Sequence, residues 1–240
     1  MKTNLHRQAG LLFILGSILL FIPYITLIFI FDYPDILRMP VDHILTKFHD
    51  GGTSLILVWW VFSLAGLPLL WAVVFLSKII GEEYQNVRVA TTFMIIGGIT
   101  QIVGLLRWVF VVPVLSNYYA DHPDTSQVTV SIIFQVVHQY GGVILGEHLG
   151  QIFSIIWTLI VCHHFIKSKT IHPFIGWFGI ISSLIYLLGQ TELFATVIPT
   201  FPVIGWAAPI GSTLWLLWMI TLGVSLIRKS KYSQPGTRIS

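Results

Sequence analysis

The chain has 240 residues, of which 55% are hydrophobic and only 10% charged, and its mean hydropathy is +0.83. A soluble domain carries about 25% charged residues to solvate its surface, so the composition excludes that class and indicates an integral membrane protein. The formal charge is a modest +3, and the single cysteine, Cys162, excludes an intramolecular disulfide framework and any multi-thiolate metal or iron–sulfur site.

A helix needs about 20 apolar residues to cross the hydrocarbon, and uncharged runs of that length predict an all-α bundle of six transmembrane helices. The first, 9–31, lies between Arg7 and Asp32. It is too long for a signal-peptide core and lacks a small-residue cleavage site, and Pro23 predicts a kink within it. The second, 53–77, carries Pro68 as another predicted kink. The third, 89–113, holds Gln101 and Arg107. The stretch from Val128 to Cys162 is too long for one straight crossing and contains Gly141-Gly142. It reads as an amphipathic segment, 128–140, followed by a crossing, 142–162. The fifth and sixth spans, 174–198 and 203–227, complete a single transmembrane domain over 1–229. The polar tail 230–240, with Pro235 and Gly236, reads as disordered and cytoplasmic.

The basic residues test this count, because cytoplasmic segments collect Lys and Arg. Alternate segments hold Lys2 and Arg7; Lys78 and Arg88; Lys167 and Lys169; and Arg228, Lys229, Lys231 and Arg238, ten of the thirteen. The other side holds Arg38 and Lys47 together with Asp32, Asp35, Asp42, Asp50, Asp121 and Asp124, while Arg107 is intramembrane. Six spans with both termini cytoplasmic follow, and five or seven would scramble the segregation. The basic residues form no concentrated patch, so nucleic acid is not an expected partner. No internal repeat indicates an inverted-repeat transporter.

Polar residues inside apolar spans carry the functional information, because in lipid each is costly. At about 1.5 Å per residue, Arg107 lies roughly 9 Å inside the outer end of the third helix, and Glu147 and His148 lie roughly 8 to 9 Å below the same face. Glu192 sits at a similar depth on the fifth. Gln101, Gln151 and Gln190 share these spans, His138 and Gln139 lie on the segment leading into the fourth, and His49 and Asp50 flank the start of the second. On the fourth helix Gly142, Gly146 and Gly150 recur every four residues, a small-residue face that permits close helix approach. On the third, Gly97, Gln101, Gly104 and Arg107 form one flank; on the fifth, Gly179, Ser183, Tyr186 and Gln190 do the same. Both stripes combine small and polar residues and belong on surfaces facing the bundle interior.

The plainest reading of these groups is structural: Arg107 pairs with Glu147 or Glu192 and holds helices together. Against it, two Glu, an Arg and several His exceed one neutralised pair, and this favours a ligand, proton or metal site made of Gln101, Arg107, His138, Glu147, His148, Gln151, Gln190 and Glu192. Candidate metal ligands are His49, His138, Glu147 and His148, although no HExxH or comparable spacing fixes a pair. Haem is a further option through two His on facing helices, without a CxxCH motif. Cys162, His163, His164 and His172 form a second cluster beside Lys167 and Lys169, assigned to the membrane interface. No GxSxG, Walker loop or dinucleotide fingerprint occurs. Tyr118, Tyr119, Trp108 and Trp206, and at the other face Trp71, Tyr84 and Trp177, read as interfacial anchoring belts.

Several segments carry a family likeness: Arg7-Gln8-Ala9-Gly10-Leu11, Gly146-Glu147-His148-Leu149-Gly150-Gln151, His172-Pro173-Phe174-Ile175-Gly176-Trp177-Phe178-Gly179, and Leu214-Trp215-Leu216-Leu217-Trp218-Met219-Ile220-Thr221-Leu222-Gly223 with Arg228. On these the sequence resembles the DUF4386 family of bacterial membrane proteins. The resemblance implies six or seven helices in a bacterial cytoplasmic membrane and brings no catalytic residues with it. The expected role is a small binding or sensing bundle with a polar pocket in the extracytoplasmic half, its partners being the lipid bilayer and a small polar ligand. A metal- or haem-dependent membrane enzyme is the alternative, and a small-solute or proton transporter the second alternative.

Overall fold

A computed structural model describes residues 2–81, 84–122 and 126–232. Among the described residues the chain is helical, with no strand: α1 Lys2–Phe31, α2 Val41–Leu64, α3 Leu67–Ile80, α4 Gln85–Phe110, α5 Val112–Asp121, α6 Ser126–Val137, α7 Gly150–Ser168, α8 Pro173–Leu188, α9 Gln190–Ala195 and α10 Ala207–Tyr232. A 3-10 turn, Asp35–Arg38, lies between α1 and α2, and a π-helical stretch, His138–Leu149, joins α6 to α7. These elements make six runs long and apolar enough to cross a membrane: Asn4–Phe31, Val41–Ile80, Gln85–Asp121, Gln127–Ser168, Pro173–Ala195 and Ala207–Lys231. Large apolar side chains such as Phe29, Trp71, Phe110 and Val136 are exposed. In water such a surface would aggregate, whereas in a bilayer it meets its own solvent.

The six spans agree with the sequence reading, and several boundaries and breaks do not. Pro23 lies inside α1, which continues across it. The second span starts at Val41, not at 53; the expected start falls next to Gly52, whose φ of 53° and ψ of −149° interrupt the helix. Its second break lies at Ala65-Gly66, so Pro68 sits in the first turn of α3, where a missing N–H breaks no helical bond. Pro113 likewise falls in the first turn of α5 after the break at Val111, and α5 carries the helix on to Asp121, with 123–125 outside the described residues. The fifth run is divided at Gly189. The sixth begins at Ala207 and continues to Tyr232, so 230–232 are helical rather than disordered, and 233–240 lie outside the described residues.

The largest correction concerns the fourth span. Gly141-Gly142 does not break the chain between an interfacial segment and a crossing, because both glycines lie inside the π-helical stretch of one continuous run. With hydrogen bonds from i to i+5, the residues that stack are five apart rather than four. Gly141 and Gly146 accordingly meet the same neighbour, Gly104 of α4.

By contacts the chain divides into two compact units, each using parts of the long helices. The first comprises Met1–Ile18, Leu67–Gly98 and Gln151–Ser240; the second comprises Leu19–Gly66 and Ile99–Gly150. In lipid, helices associate through close packing and hydrogen bonds, since the tails are as apolar as the side chains. The first unit shows both. α8 packs along α10, Trp218 Nε1 donates to the Ile175 carbonyl at 2.8 Å, and Trp215 Nε1 donates to Thr158 Oγ1 at 2.8 Å. In the second unit α2 packs on α5 and α6 around a core that includes Phe31, Phe48, Trp59, Trp108 and Phe134.

Candidate functional site

The site grows from the crossing of α4 with the π-helical stretch. A β-carbon at Gly104 would stand 2.6 Å from the Gly141 carbonyl oxygen and 2.7 Å from Gly146 Cα, so the backbones touch where neither helix carries a side chain. One turn further along α4, the Arg107 guanidinium occupies the space beside Gly142, where a β-carbon would lie 2.5 Å from Nη2. In the other direction Gln101 fills the space over Gly150. The close approach expected at Gly146 and Gly150 is therefore present, and Gly141-Gly142 serves to admit a guanidinium.

Arg107 is buried, 7% exposed. Its Nη1 donates to the Gly104 carbonyl, its guanidinium carbon lies 5.1 Å from the centroid of the Trp108 ring, and its Nε has no hydrogen-bond partner among the described residues. Among the described residues no carboxylate lies within ion-pair distance of it, which corrects the expected pairing with Glu147 or Glu192. Glu147 instead accepts from Arg38 Nη2 through Oε2 at 2.6 Å, the Arg38 side chain 26% and that of Glu147 21% exposed, while Glu147 Oε1 is buried without a partner among the described residues. Arg38 belongs to the 3-10 turn after α1 and also donates to the Leu37 carbonyl at 3.4 Å. Arg38 and Glu147 both lie within coulombic reach of Arg107.

His138 opens the π-helical stretch and is buried against this group, its ring stacked on Phe134 at 5.4 Å and edge-on to Trp108 at 6.1 Å. The Leu37 carbonyl lies alongside the imidazole without a well-directed hydrogen bond, and neither ring nitrogen has a partner. Trp108 is fully buried and stacks on Trp59 at 4.8 Å with 11° between planes; neither indole N–H has an acceptor. Trp108 is thus a core residue and not an interfacial anchor. An unpaired buried donor or acceptor costs about 1–3 kcal/mol. Arg107, His138, Glu147, Trp59 and Trp108 concentrate such atoms in one unit.

The remaining expected residues lie elsewhere. His148 is half-buried beside Glu147 in the π-helical stretch. In the first unit Gln190, the residue after the break at Gly189, donates through Nε2 to Gln151 Oε1 at 2.5 Å, and half-buried Glu192 follows in α9. His49 is exposed and bonds Asn117 at 3.2 Å. Among the described residues no three His, Cys, Asp or Glu side chains converge as a metal set would, so His49, His138, Glu147 and His148 do not assemble into one. Sequence reasoning missed Arg38, which the charge count placed on the outer side as an ordinary surface cation. The signal available was its position as one of two cations in a segment crowded with Asp; the other, Lys47, also pairs with a carboxylate, that of Asp32.

Six apolar helical runs, a lipid-compatible surface and a buried polar interior define a multi-pass helical membrane protein. The sequence profile of the DUF4386 family, described as a domain of unknown function, matches residues 8–223, and the chain belongs to that family. Comparison with curated proteins and with solved structures gives no match.

Proposed function

We propose that this membrane protein is a binding or sensing bundle that takes a small anionic group, a carboxylate or phosphate, beside Arg107 in its second unit. Arg107 provides the fixed charge, His138 and Trp108 provide unpaired polar atoms on its apolar wall, and Gln101 and His148 are further polar groups of the same unit. The supporting observation is a guanidinium that is 7% exposed and that, among the described residues, has no carboxylate within ion-pair distance and no partner for its Nε. A buried charge in that condition is strongly destabilising unless it is needed. The Lys and Arg distribution supports cytoplasmic termini and an outward-facing site, and the membrane we assign is the bacterial cytoplasmic one that the family resemblance implies.

The test is thermal unfolding of the purified chain in phosphatidylcholine nanodiscs with acetate, succinate or phosphate added. At least one anion raises the unfolding temperature of the wild type and leaves Arg107→Met unmoved. Without anion, Arg107→Met is as stable as the wild type or more so, since an apolar isostere removes a desolvated charge. If no anion stabilises the wild type and Arg107→Met unfolds earlier, Arg107 is a structural strut and the reading fails.

A further inference from the structure

The second polar feature lies in the first unit, where the start of α4 meets the end of α7. An open groove of about 780 Å³ runs between them. Its apolar lining comes from Val87, Leu159 and Ile160, and its polar lining includes Asn86, His163 and Lys167. The Tyr84 ring stands edge-on to His164, 4.4 Å between centroids, and flanks the same groove. No described lining residue is acidic; Glu82 and Glu83, which precede Tyr84, lie outside the described residues.

Three properties narrow what such a groove accepts. It lies where two of the apolar runs end, one opening at Gln85 and the other closing at Ser168, and the ends of membrane-spanning runs are where a bilayer presents its headgroups. It is apolar on the side of the span interior, at Leu159 and Ile160, and cationic or hydrogen-bonding toward the helix end, at His163 and Lys167, a gradient that matches an acyl chain followed by a charged head. Its titratable lining, apart from the Tyr84 phenol, is the imidazoles of His163 and His164 and the ammonium of Lys167, which favours an anionic head over a zwitterionic one. A soluble phosphate would use the polar end and leave the apolar part of the groove unfilled.

We propose that this groove is a binding site for an anionic phospholipid, its phosphate at Lys167 and His163 and its acyl chain along Leu159 and Ile160. The proposal is independent of the site at Arg107, since all the groove's lining residues belong to the first unit. It is also independent of orientation, because the ends of two apolar runs meet a headgroup layer in either leaflet.

The test uses the full chain in phosphatidylcholine nanodiscs with increasing phosphatidylglycerol, and reads the apparent lipid affinity from the unfolding midpoint. Phosphatidylglycerol stabilises the wild type more than phosphatidylcholine alone does. Lys167→Gln weakens the apparent affinity about fivefold, the scale of one basic residue at an anionic surface, and adding His163→Gln weakens it further. Arg7→Gln, an exposed cation of the first unit outside the groove, retains the full effect. Leu159→Gln lowers the affinity without removing charge. Equal stabilisation by the two lipids overturns the proposal. So does an equal loss in Arg7→Gln, which would show diffuse electrostatics, and so does an equal shift from inorganic phosphate in pure phosphatidylcholine, which would show a free anion to be sufficient.

Discussion

The two units treat their buried tryptophans differently. In the first, two of the three buried tryptophans, Trp215 and Trp218, donate, one to a hydroxyl and one to a carbonyl, the third, Trp157, packs on neighbouring rings, and Gln190 closes on Gln151. In the second, Trp59 and Trp108 stack face to face with both indole N–H groups unmet, beside the orphaned atoms of Arg107, His138 and Glu147. The first unit has orphans too, but they are the hydroxyls of Ser17 and Ser183, small rotors that a helix can satisfy from its own carbonyls at little cost. A satisfied interior needs no further account than packing. An interior that leaves a guanidinium Nε, an imidazole and two indole N–H groups without partners among the described residues calls for more than packing to account for it, and this contrast supports placing the proposed site in the second unit.

The contrast is broken most severely by destroying the crossing that builds it. Gly104→Leu drives a side chain into the Gly141 carbonyl and Gly146 Cα, which are backbone and cannot rotate away. Overpacking normally costs about 1–3 kcal/mol; against two fixed backbones the cost is about 3 kcal/mol or more, seen as loss of folded protein or a large fall in unfolding temperature. Gly66→Ala, in the same unit but with nothing within 4 Å of the new β-carbon, stays within about 0.5 kcal/mol of the wild type. Similar behaviour of the two variants would show that α4 does not meet the π-helical stretch as described.

A smaller effect separates the ion pair from the cation behind it. Glu147→Gln removes the charge-assisted bond from Arg38 and costs about 2 kcal/mol, while membrane insertion is unchanged. A double-mutant cycle with Arg38→Gln gives a coupling of about 1–2 kcal/mol. The same cycle between Glu147→Gln and Arg107→Met gives a smaller coupling, because those two are within coulombic reach without an ion pair. Equal couplings would return Arg107 to the role of a partner of Glu147.

The number of spans was legible because bilayer thickness imposes a length on apolar runs and the Lys and Arg segregation checks it independently. The close approach at Gly146 and Gly150 was legible because glycines spaced four apart lay one bare face along a helix, which a lone glycine does not. What escaped the sequence depends on contacts that no local period encodes. The partner of Glu147 is 109 residues away on a short connector. The π-helical spacing converts a Gly142-Gly146 stripe into a Gly141-Gly146 contact, and a pattern scanned at 3.6 residues per turn does not contain it. Trp108 stands near the end of its span, where an anchoring Trp also belongs, and only the aromatic ring stacked on it shows that it is core. The helix breaks at Gly52 and Gly189 were hidden for the same reason: a glycine within an apolar run is equally suited to close packing and to a kink.

The finest test asks whether the orphaned indoles are truly without acceptors. Trp→Phe at two buried positions, here 7% and 0% exposed, removes similar packing area and keeps a ring for the neighbouring aromatic contacts, so comparing the two substitutions cancels most of the packing cost and leaves the hydrogen bond. Trp215→Phe loses the bond to Thr158, whose hydroxyl keeps its own acceptor, the Ser154 carbonyl. Trp108→Phe loses no bond and removes an unsatisfied donor. Trp215→Phe should therefore be the more destabilising of the pair, by about 1 kcal/mol, the net worth of an ordinary hydrogen bond, measured by unfolding in the same nanodiscs. If the order is reversed in anion-free buffer, the Trp108 N–H has an acceptor and the second unit is as closed as the first. If the order holds without anion and reverses once a stabilising anion is added, the bound group engages the Trp108 indole, and the contrast between the two units comes from the ligand.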